Sequence, residues 1–476
     1  METEAILRLL VLAVGFYMAW NIGANDVSNA MGTSVGSGAL TLKRAVILAA
    51  ILEFCGAFFL GANVSETMQR GVVNPDMFLT EPLILILGMC GALLGTSLWL
   101  QVASYFGWPV STTHAIVGAI LGFGVLVGGV ETVQWAEVGS IALSWIISPL
   151  ISACISYCIF LILQKKILYA MDPIAATRKL IPVFVAFVFA TFTLSLLFNG
   201  LQNLNFDISF FHAFAIACIL GLAAGVLAYF GVRRARLPSG YVQPIGLHNP
   251  HSVVSLDKAI KHLQRVRVAS ADETHDRVTQ ILHEVKGLSQ KLRLETSFSE
   301  RTSQYHFVEK MFSYLQILSA CYVAFAHGAN DVSNAIGPIA AVLDIIQHGT
   351  IVSASQIPSW LLALGGAGIV LGLATWGWRV IETIGKKITE LTPTRGFCAE
   401  FGAAATILVA SKLGLPISTT HCLVGAVLGV GLARGLSALN LTTLRDIVIS
   451  WIVTIPASAA MSIACFYFLK SLLLTS

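Results

Sequence analysis

Eight residues, Gly-Ala-Asn-Asp-Val-Ser-Asn-Ala, occur twice and unchanged, at Gly23–Ala30 and Gly328–Ala335. Each copy is followed by a second shared block, Pro109-Val-Ser-Thr-Thr-His114 and Pro416-Ile-Ser-Thr-Thr-His421, at nearly the same offset. In the first motif Asp26 and Asp331 bring negative charge, and Asn25, Asn29, Asn330 and Asn334 bring neutral oxygens. Such hard oxygens suit Na+, and a carboxylate can instead carry a proton. In the second, Ser111, Thr112 and Thr113, like Ser418, Thr419 and Thr420, follow a proline that disrupts a preceding helix and favours the first turn of a new one. A helix start offers free N–H groups and partial positive charge, and these residues add hydroxyls, so the block suits an anion. Broken or re-entrant helices are therefore expected at the site, and two such starts converging from opposite sides would surround a small tetrahedral oxyanion. The glycine with Asn-Asp predicts a local helix break in each copy of the first motif. All these polar groups interrupt apolar segments, where leaving them unpaired is costly. Carrying that cost twice in the same order points to duplication around one polar site.

Two further carboxylates, Glu53 and Glu400, lie in apolar runs. Each is read as a coupling residue or as a paired structural carboxylate; they are not repeat equivalents, since Glu400 aligns with Leu93. His114 and His421 either donate to an anion or titrate near neutral pH, or simply pack one step beyond the site. His327 matches Ile22 in the first copy, so no symmetric role is expected for it. Gly32-Thr-Ser-Val-Gly36 has the G-x-S-x-G spacing of a hydrolase elbow, but Ser34 matches Ile339 and no strand-to-helix turn is expected. The chain lacks a GxxxxGK[ST] loop, hence a Walker-type ATP site. No nucleophile–base or metal-ligand set recurs in both halves, so no catalytic residue and no cofactor is assigned. The nine cysteines form no CxxC pair and read mostly as small buried hydrophobes.

These residues must be positioned by membrane helices. The 476 residues are 56% hydrophobic and only 11% charged, with a mean hydropathy of +0.79. That composition fits an all-α polytopic membrane protein embedded in a lipid bilayer, and the length allows about a dozen helices of roughly 20 residues. The net charge of +4 sits mostly in loops and is no nucleic-acid signature. The apolar stretch after Arg8 lacks a convincing cleavage site and reads as a retained first membrane helix. Spans are expected near 8–38, 45–62, 83–105, 110–130, 138–163, 180–200, 211–231, 311–343, 358–380, 396–413, 416–434 and 446–468.

Basic clusters at Lys43/Arg44, Lys165/Lys166, Arg178/Lys179, Arg233/Arg234/Arg236, Lys386/Lys387/Arg395 and Arg434/Arg445 fall on alternate loops, which places those loops in the cytoplasm and both termini outside. Lys412 alone falls on the wrong side. Seven spans, an odd number, separate the starts of the two copies, so the halves run in opposite directions, as in secondary transporters with inverted repeats. The expected organisation is a first repeat (1–163), two connecting helices (164–232), a hydrophilic cytoplasmic loop (233–310) and a second, inverted repeat (311–476). Within the loop, Val278, Ile281, Val285, Leu288 and Leu292 predict an amphipathic helix over 274–294, packed on a neighbour near 256–268.

The duplicated motifs, the Glu53 and Glu400 contexts and the central hydrophilic insert resemble the inorganic phosphate transporter (Pit) family over both membrane halves. The resemblance implies symport of inorganic phosphate with Na+ or H+, a moving transport part on a scaffold, and a homodimer in the cell (plasma or inner) membrane. It places phosphate near Ser111, Thr112, Thr113, Ser418, Thr419 and Thr420. It places the cation near Asn25, Asp26, Asn330 and Asp331, with Glu53, Glu400, Asn29 and Asn334 available for coupling. Unaltered Gly-Ala-Asn-Asp and Ser-Thr-Thr-His in both halves look like the sodium-dependent branch. A sulfate or other oxyanion permease of the same family, and an anion channel, are the alternatives.

Overall fold

The computed structural model describes residues 2–78, 80–197, 208–235, 250–295, 298–348, 357–378, 381, 391–435 and 441–474. The expected Lys386 and Lys387 cluster, Arg236 and the ends of the spans at 198–200 and 379–380 lie outside them. The described residues are overwhelmingly helical, with one isolated antiparallel bridge between Val73 and Val133.

Sixteen α-helices carry the description: α1 (Glu2–Gly36), α2 (Leu42–Leu60), α3 (Ala62–Arg70), α4 (Pro82–Tyr105), α5 (Thr112–Phe123), α6 (Trp135–Leu163), α7 (Pro173–Ser195), α8 (Phe210–Arg234), α9 (Pro250–Ala269), α10 (Asp272–Glu295), α11 (Phe298–Asp331), α12 (Ser333–His348), α13 (Ser359–Thr375), α14 (Pro393–Lys412), α15 (Thr419–Arg434) and α16 (Leu441–Leu474). Among the described residues, six stretches are long and apolar enough to cross a membrane, formed by α1, α4, α6 with the turn after it, α7, α8 and α16; α2 and α3 form a seventh candidate bent by 64°. The helix α4 is the most enclosed of the six, with 78% of its apolar window buried against 22–28% for α6, α7, α8 and α16. The outer four therefore present Leu150, Val183, Leu227 and Ile452 outward, as lipid-facing helices do.

Small residues set how closely these helices pack. On α8, Ala213, Ala217, Gly221 and Gly225 recur every fourth residue and are buried; Gly221 and Gly225 lie against Ala186 of α7. On α6, Ser144, Ser148, Ser152 and Ser156 form a like stripe, and the Ser152 hydroxyl donates to the Cys422 carbonyl of α15 at 2.7 Å. Side chains this small bring backbones together and let hydroxyls bond across the contact.

Four of the expected spans are arms of two hairpins. In the first, α4 runs to a tip at 105–111 and α5 returns beside it, Thr96 facing Ala115. Its base is tied by the Val73–Val133 bridge and by Gln134 N–H donating to Val72, so both ends emerge together. The second pairs α14 with α15 around a tip at 411–418. The tips meet inside the molecule, where Thr113 donates to the Ile417 carbonyl at 2.9 Å and Thr420 to that of Val110 at 3.4 Å. Loops 105–110 and 413–416 are therefore hairpin tips rather than membrane-surface turns, and Lys412 sits on such a tip. Hydropathy alone cannot distinguish a hairpin arm from a complete span.

Other expectations need correction. The first Gly-Ala-Asn-Asp copy causes no break, because α1 runs unbroken through it; only the second copy ends a helix, with Val332 between α11 and α12. The second copy is followed by Pro338 where the first has Thr33, and this proline lies inside the continuous α12, beyond the break. The prolines do not occupy the first turns of α5 and α15 but lie two residues before the capping serines. In α10 the buried face is Val278, Leu282 and Ser289, packed on α9, while Ile281 and Leu288 point outward. Of the nine free cysteines only Cys90, Cys398 and Cys422 are buried; Cys154, Cys158 and Cys218 are exposed on outer helices.

Candidate functional site

The two hairpin tips bring both Ser-Thr-Thr blocks against both Asn-Asp motifs. Every side chain assigned from the sequence is buried, none above 3% exposed. Ser111 is the N-cap of α5 and its hydroxyl accepts from His114 N–H at 3.2 Å; Ser418 does the same for His421 N–H on α15, also at 3.2 Å. Capping satisfies one of the free N–H groups of each helix and fixes the direction in which the start points.

The halves make matched hydrogen bonds. The Asn25 amide donates to Ser104 Oγ at 2.9 Å and to the Trp108 carbonyl at 3.3 Å; Asn330 donates to Ser411 Oγ at 3.0 Å and to the Leu415 carbonyl at 3.2 Å. Each asparagine thus pins the end of one hairpin arm and the loop before the next helix, a holding role that sequence reasoning did not assign. Asn29 donates to Asp26 Oδ1 at 3.0 Å and to Thr420 Oγ1 at 2.8 Å, whereas Asn334 donates to Thr112 and Thr113 hydroxyls at 3.3 and 3.2 Å. Thr419 donates to Asp331 Oδ2 at 2.8 Å. The motif of one half therefore reaches the helix start of the other.

After these bonds, Asp26 Oδ2, Asp331 Oδ1 and the amide oxygens of Asn25, Asn29 and Asn334 remain buried without a donor. Buried oxygens of this kind are costly unless a cation or proton meets them. A carboxylate from each half, with amide oxygens between, is a donor set that a hard cation can satisfy. The starts of α5 and α15 supply the opposite character, N–H groups and hydroxyls for an anion.

Glu53 and Glu400 lie on different elements, in separate clusters. Glu400 accepts from Thr33 at 2.5 Å, Ser34 at 2.7 Å, Gln316 at 3.1 Å and Ser319 at 2.5 Å. Ser34 thus sits on a continuous helix serving a carboxylate, which disposes of the hydrolase-elbow spacing. Glu53 lies 3.3 Å from His327 Nδ1, and His327 Nε2 lies 3.1 Å from Asp331 Oδ2. His327, expected to lack a role because it has no symmetric partner, is central; its spacing four residues before Asp331 was the available signal. Thr33, Ser34, Gln316 and Ser319 carried no such signal, since hydroxyls and amides in helices usually serve the helix itself.

His114 and His421 take the packing role. Their rings meet at 4.3 Å between centroids, against Trp145 (3.9 Å from His114) and Trp451 (3.5 Å from His421), behind the helix starts. Gly328 permits α11 to lie on α2, because a Cβ there would stand 2.1 Å from the Glu53 carbonyl oxygen; Gly23 does the same for α1 on α13, at 1.9 Å from that of Ile369.

Helical hairpins meeting tip to tip around a sealed polar centre, within a shell of lipid-compatible helices, define a multi-pass membrane protein, and its relatives are transporters and permeases, not enzymes. The phosphate transporter family profile matches residues 22–462, and the chain belongs to that family. It is 43% identical to the chloroplast inorganic phosphate transporter 2-1 of Arabidopsis thaliana over 96% of this chain and 71% of the relative. A putative phosphate permease of Chlamydia pneumoniae is 43% identical over 98% of this chain and 99% of its own. Among solved structures, a sodium-dependent phosphate transporter superposes with a TM-score of 0.78 at 35% identity, covering 98% of this chain and 99% of that one.

Proposed function

We propose that the protein is a secondary active symporter that imports inorganic phosphate together with a cation, Na+ in preference to H+, by alternating access. One observation carries this reading: each Asn-Asp motif is hydrogen-bonded to the Ser-Thr-Thr helix start of the opposite half. Anion and cation sites built so share their walls, and filling one changes the other, which is what coupling requires. Phosphate is assigned to Ser111, Thr112, Thr113, Ser418, Thr419 and Thr420. The cation is assigned to Asp26 and Asp331 with the free oxygens of Asn25, Asn29 and Asn334, and Asn330 holds its hairpin in place. Glu53, linked to Asp331 through His327, and Glu400, in its own cluster of hydroxyls, stand as coupling carboxylates.

The membrane arrangement follows the same logic. Repeats 1–163 and 311–476 are taken as inverted, the first hairpin entering from outside and the second from the cytoplasm, with 164–232 as connecting helices and 233–310 as a cytoplasmic segment. Treating the hairpins as re-entrant leaves the alternation of basic loops intact, because no basic cluster lies at either tip, and keeps both termini outside a plasma or inner membrane. A homodimer remains part of the proposal. The name of the sodium-dependent structural relative supports Na+. Sulfate cannot donate a hydrogen bond at neutral pH, so carboxylate acceptors beside the anion favour phosphate. Radiolabelled phosphate uptake into proteoliposomes tests the assignment: an inward Na+ gradient should drive saturable accumulation that excess sulfate leaves unchanged. Flux that sulfate suppresses as well as phosphate does would overturn the substrate.

A further inference from the structure

His327 gives the cation centre a character that oxygen ligands alone would not. Asp26, His327 and Asp331 each offer one ligand atom, and these atoms lie within 4.8 Å of one another, all buried. The spacing of 3.1 Å between His327 Nε2 and Asp331 Oδ2 is close to that of neighbouring ligands in a tetrahedral site with bonds of about 2.0–2.1 Å, roughly 3.3 Å. Behind the ring, Glu53 Oε1 faces Nδ1 at 3.3 Å. A carboxylate holding one imidazole nitrogen directs the other toward a metal and raises its basicity. Both ring nitrogens thus face carboxylates, and Asp26 Oδ2 and Asp331 Oδ1 are left without donors. Sodium has little use for an imidazole nitrogen, whereas Zn2+, Co2+ and Ni2+ favour it. Because Ile22 occupies the matching position in the first half, the nitrogen ligand is present once.

We infer that Asp26, His327 and Asp331, with Glu53 orienting the ring, form a binding site for a borderline divalent transition-metal ion, which displaces the coupling cation and arrests transport. This rests on the symport reading for its entry path and for the consequence of binding. The two carboxylates neutralise the ion's charge, and its bond to His327 ties α11 to α1 through Asp26.

The test is titration of the purified full chain with Co2+ alone, followed by visible absorption. One equivalent should bind per chain with a ligand-field band showing nitrogen ligation. That band should vanish in His327→Gln, persist in His212→Gln on exposed α8, and need roughly tenfold or more metal in Glu53→Gln. Should His327→Gln not fold, zinc-edge X-ray absorption of the wild-type protein replaces it, and a single imidazole in the zinc shell is expected. In proteoliposomes, Zn2+ should inhibit phosphate uptake, with relief by added Na+. Absence of a band with millimolar Co2+, a band that survives in folded His327→Gln, or a zinc shell without imidazole overturns the site. The binding arm involves no transport, so its failure is distinguishable from failure of Na+-driven uptake.

Discussion

Asp26 and Asp331 are each half-engaged: Asp26 Oδ1 accepts from Asn29 and Thr420, Asp331 Oδ2 accepts from Thr419, and the other oxygen of each lacks a donor. Replacing either by Asn keeps the shape and removes the charge. Coupled phosphate uptake should be abolished in Asp26→Asn and in Asp331→Asn while membrane insertion stays normal, as read by uptake against surface abundance. Normal sodium-driven transport in both would remove the cation assignment. Thr112→Val or Thr419→Val deletes a hydroxyl at a helix start. A hydrogen bond to a charged group contributes about 1.5–3 kcal/mol, so the phosphate KM should rise by roughly one to two orders of magnitude. At this scale the sequence was most informative, because repetition marked the Asp, Asn, Ser and Thr of both halves. It was silent where a residue acts once. His327 and the Thr33, Ser34, Gln316 and Ser319 shell around Glu400 have no repeat to mark them and depend on which helices meet.

Helix approach is set by glycine at the motifs. In Gly328→Ala and Gly23→Ala a methyl would meet a backbone carbonyl near 2 Å, so α11 must leave α2, or α1 must leave α13. Each should lose about 1–3 kcal/mol, read as a lowered Tm in detergent, with loss of uptake. Gly139→Ala on α6 meets nothing within 4 Å and should be neutral or gain up to about 1 kcal/mol of helix propensity. The starts of α5 and α15 depend on their serine caps, and Ser111→Ala or Ser418→Ala should cost about 1 kcal/mol each. The sequence foretold most of these elements within a few residues. It foretold broken or re-entrant helices at the site but counted the four hairpin arms as complete spans, since an arm buried in protein and a span facing lipid are equally apolar. Two identical octapeptides did not imply identical backbones: one copy lies in a continuous helix and the other is broken at Val332, so the setting beyond the octapeptide decides.

The whole molecule holds its polar centre sealed, with Asn25, Asp26, Asn330, Asp331 and both Ser-Thr-Thr blocks almost wholly out of solvent. In the proposed alternating access such a seal breaks on one side at a time, and the hairpin tips, joined by Thr113–Ile417 and Thr420–Val110, are the place proposed to open. The proposed inverted arrangement makes a separate prediction. In a background without reactive native thiols, Glu131→Cys at the base of the first hairpin should label from outside intact cells with an impermeant reagent. Lys43→Cys should label only after permeabilisation, and the reverse pattern would refute the orientation. The symport claim itself is tested most directly by following radiolabelled sodium and radiolabelled phosphate together in proteoliposomes. Symport requires saturable uptake of each that depends on the other, and loss of both in Asp331→Asn. Phosphate flux that proceeds without any cation gradient and fails to saturate, or sodium entry indifferent to phosphate, would contradict it.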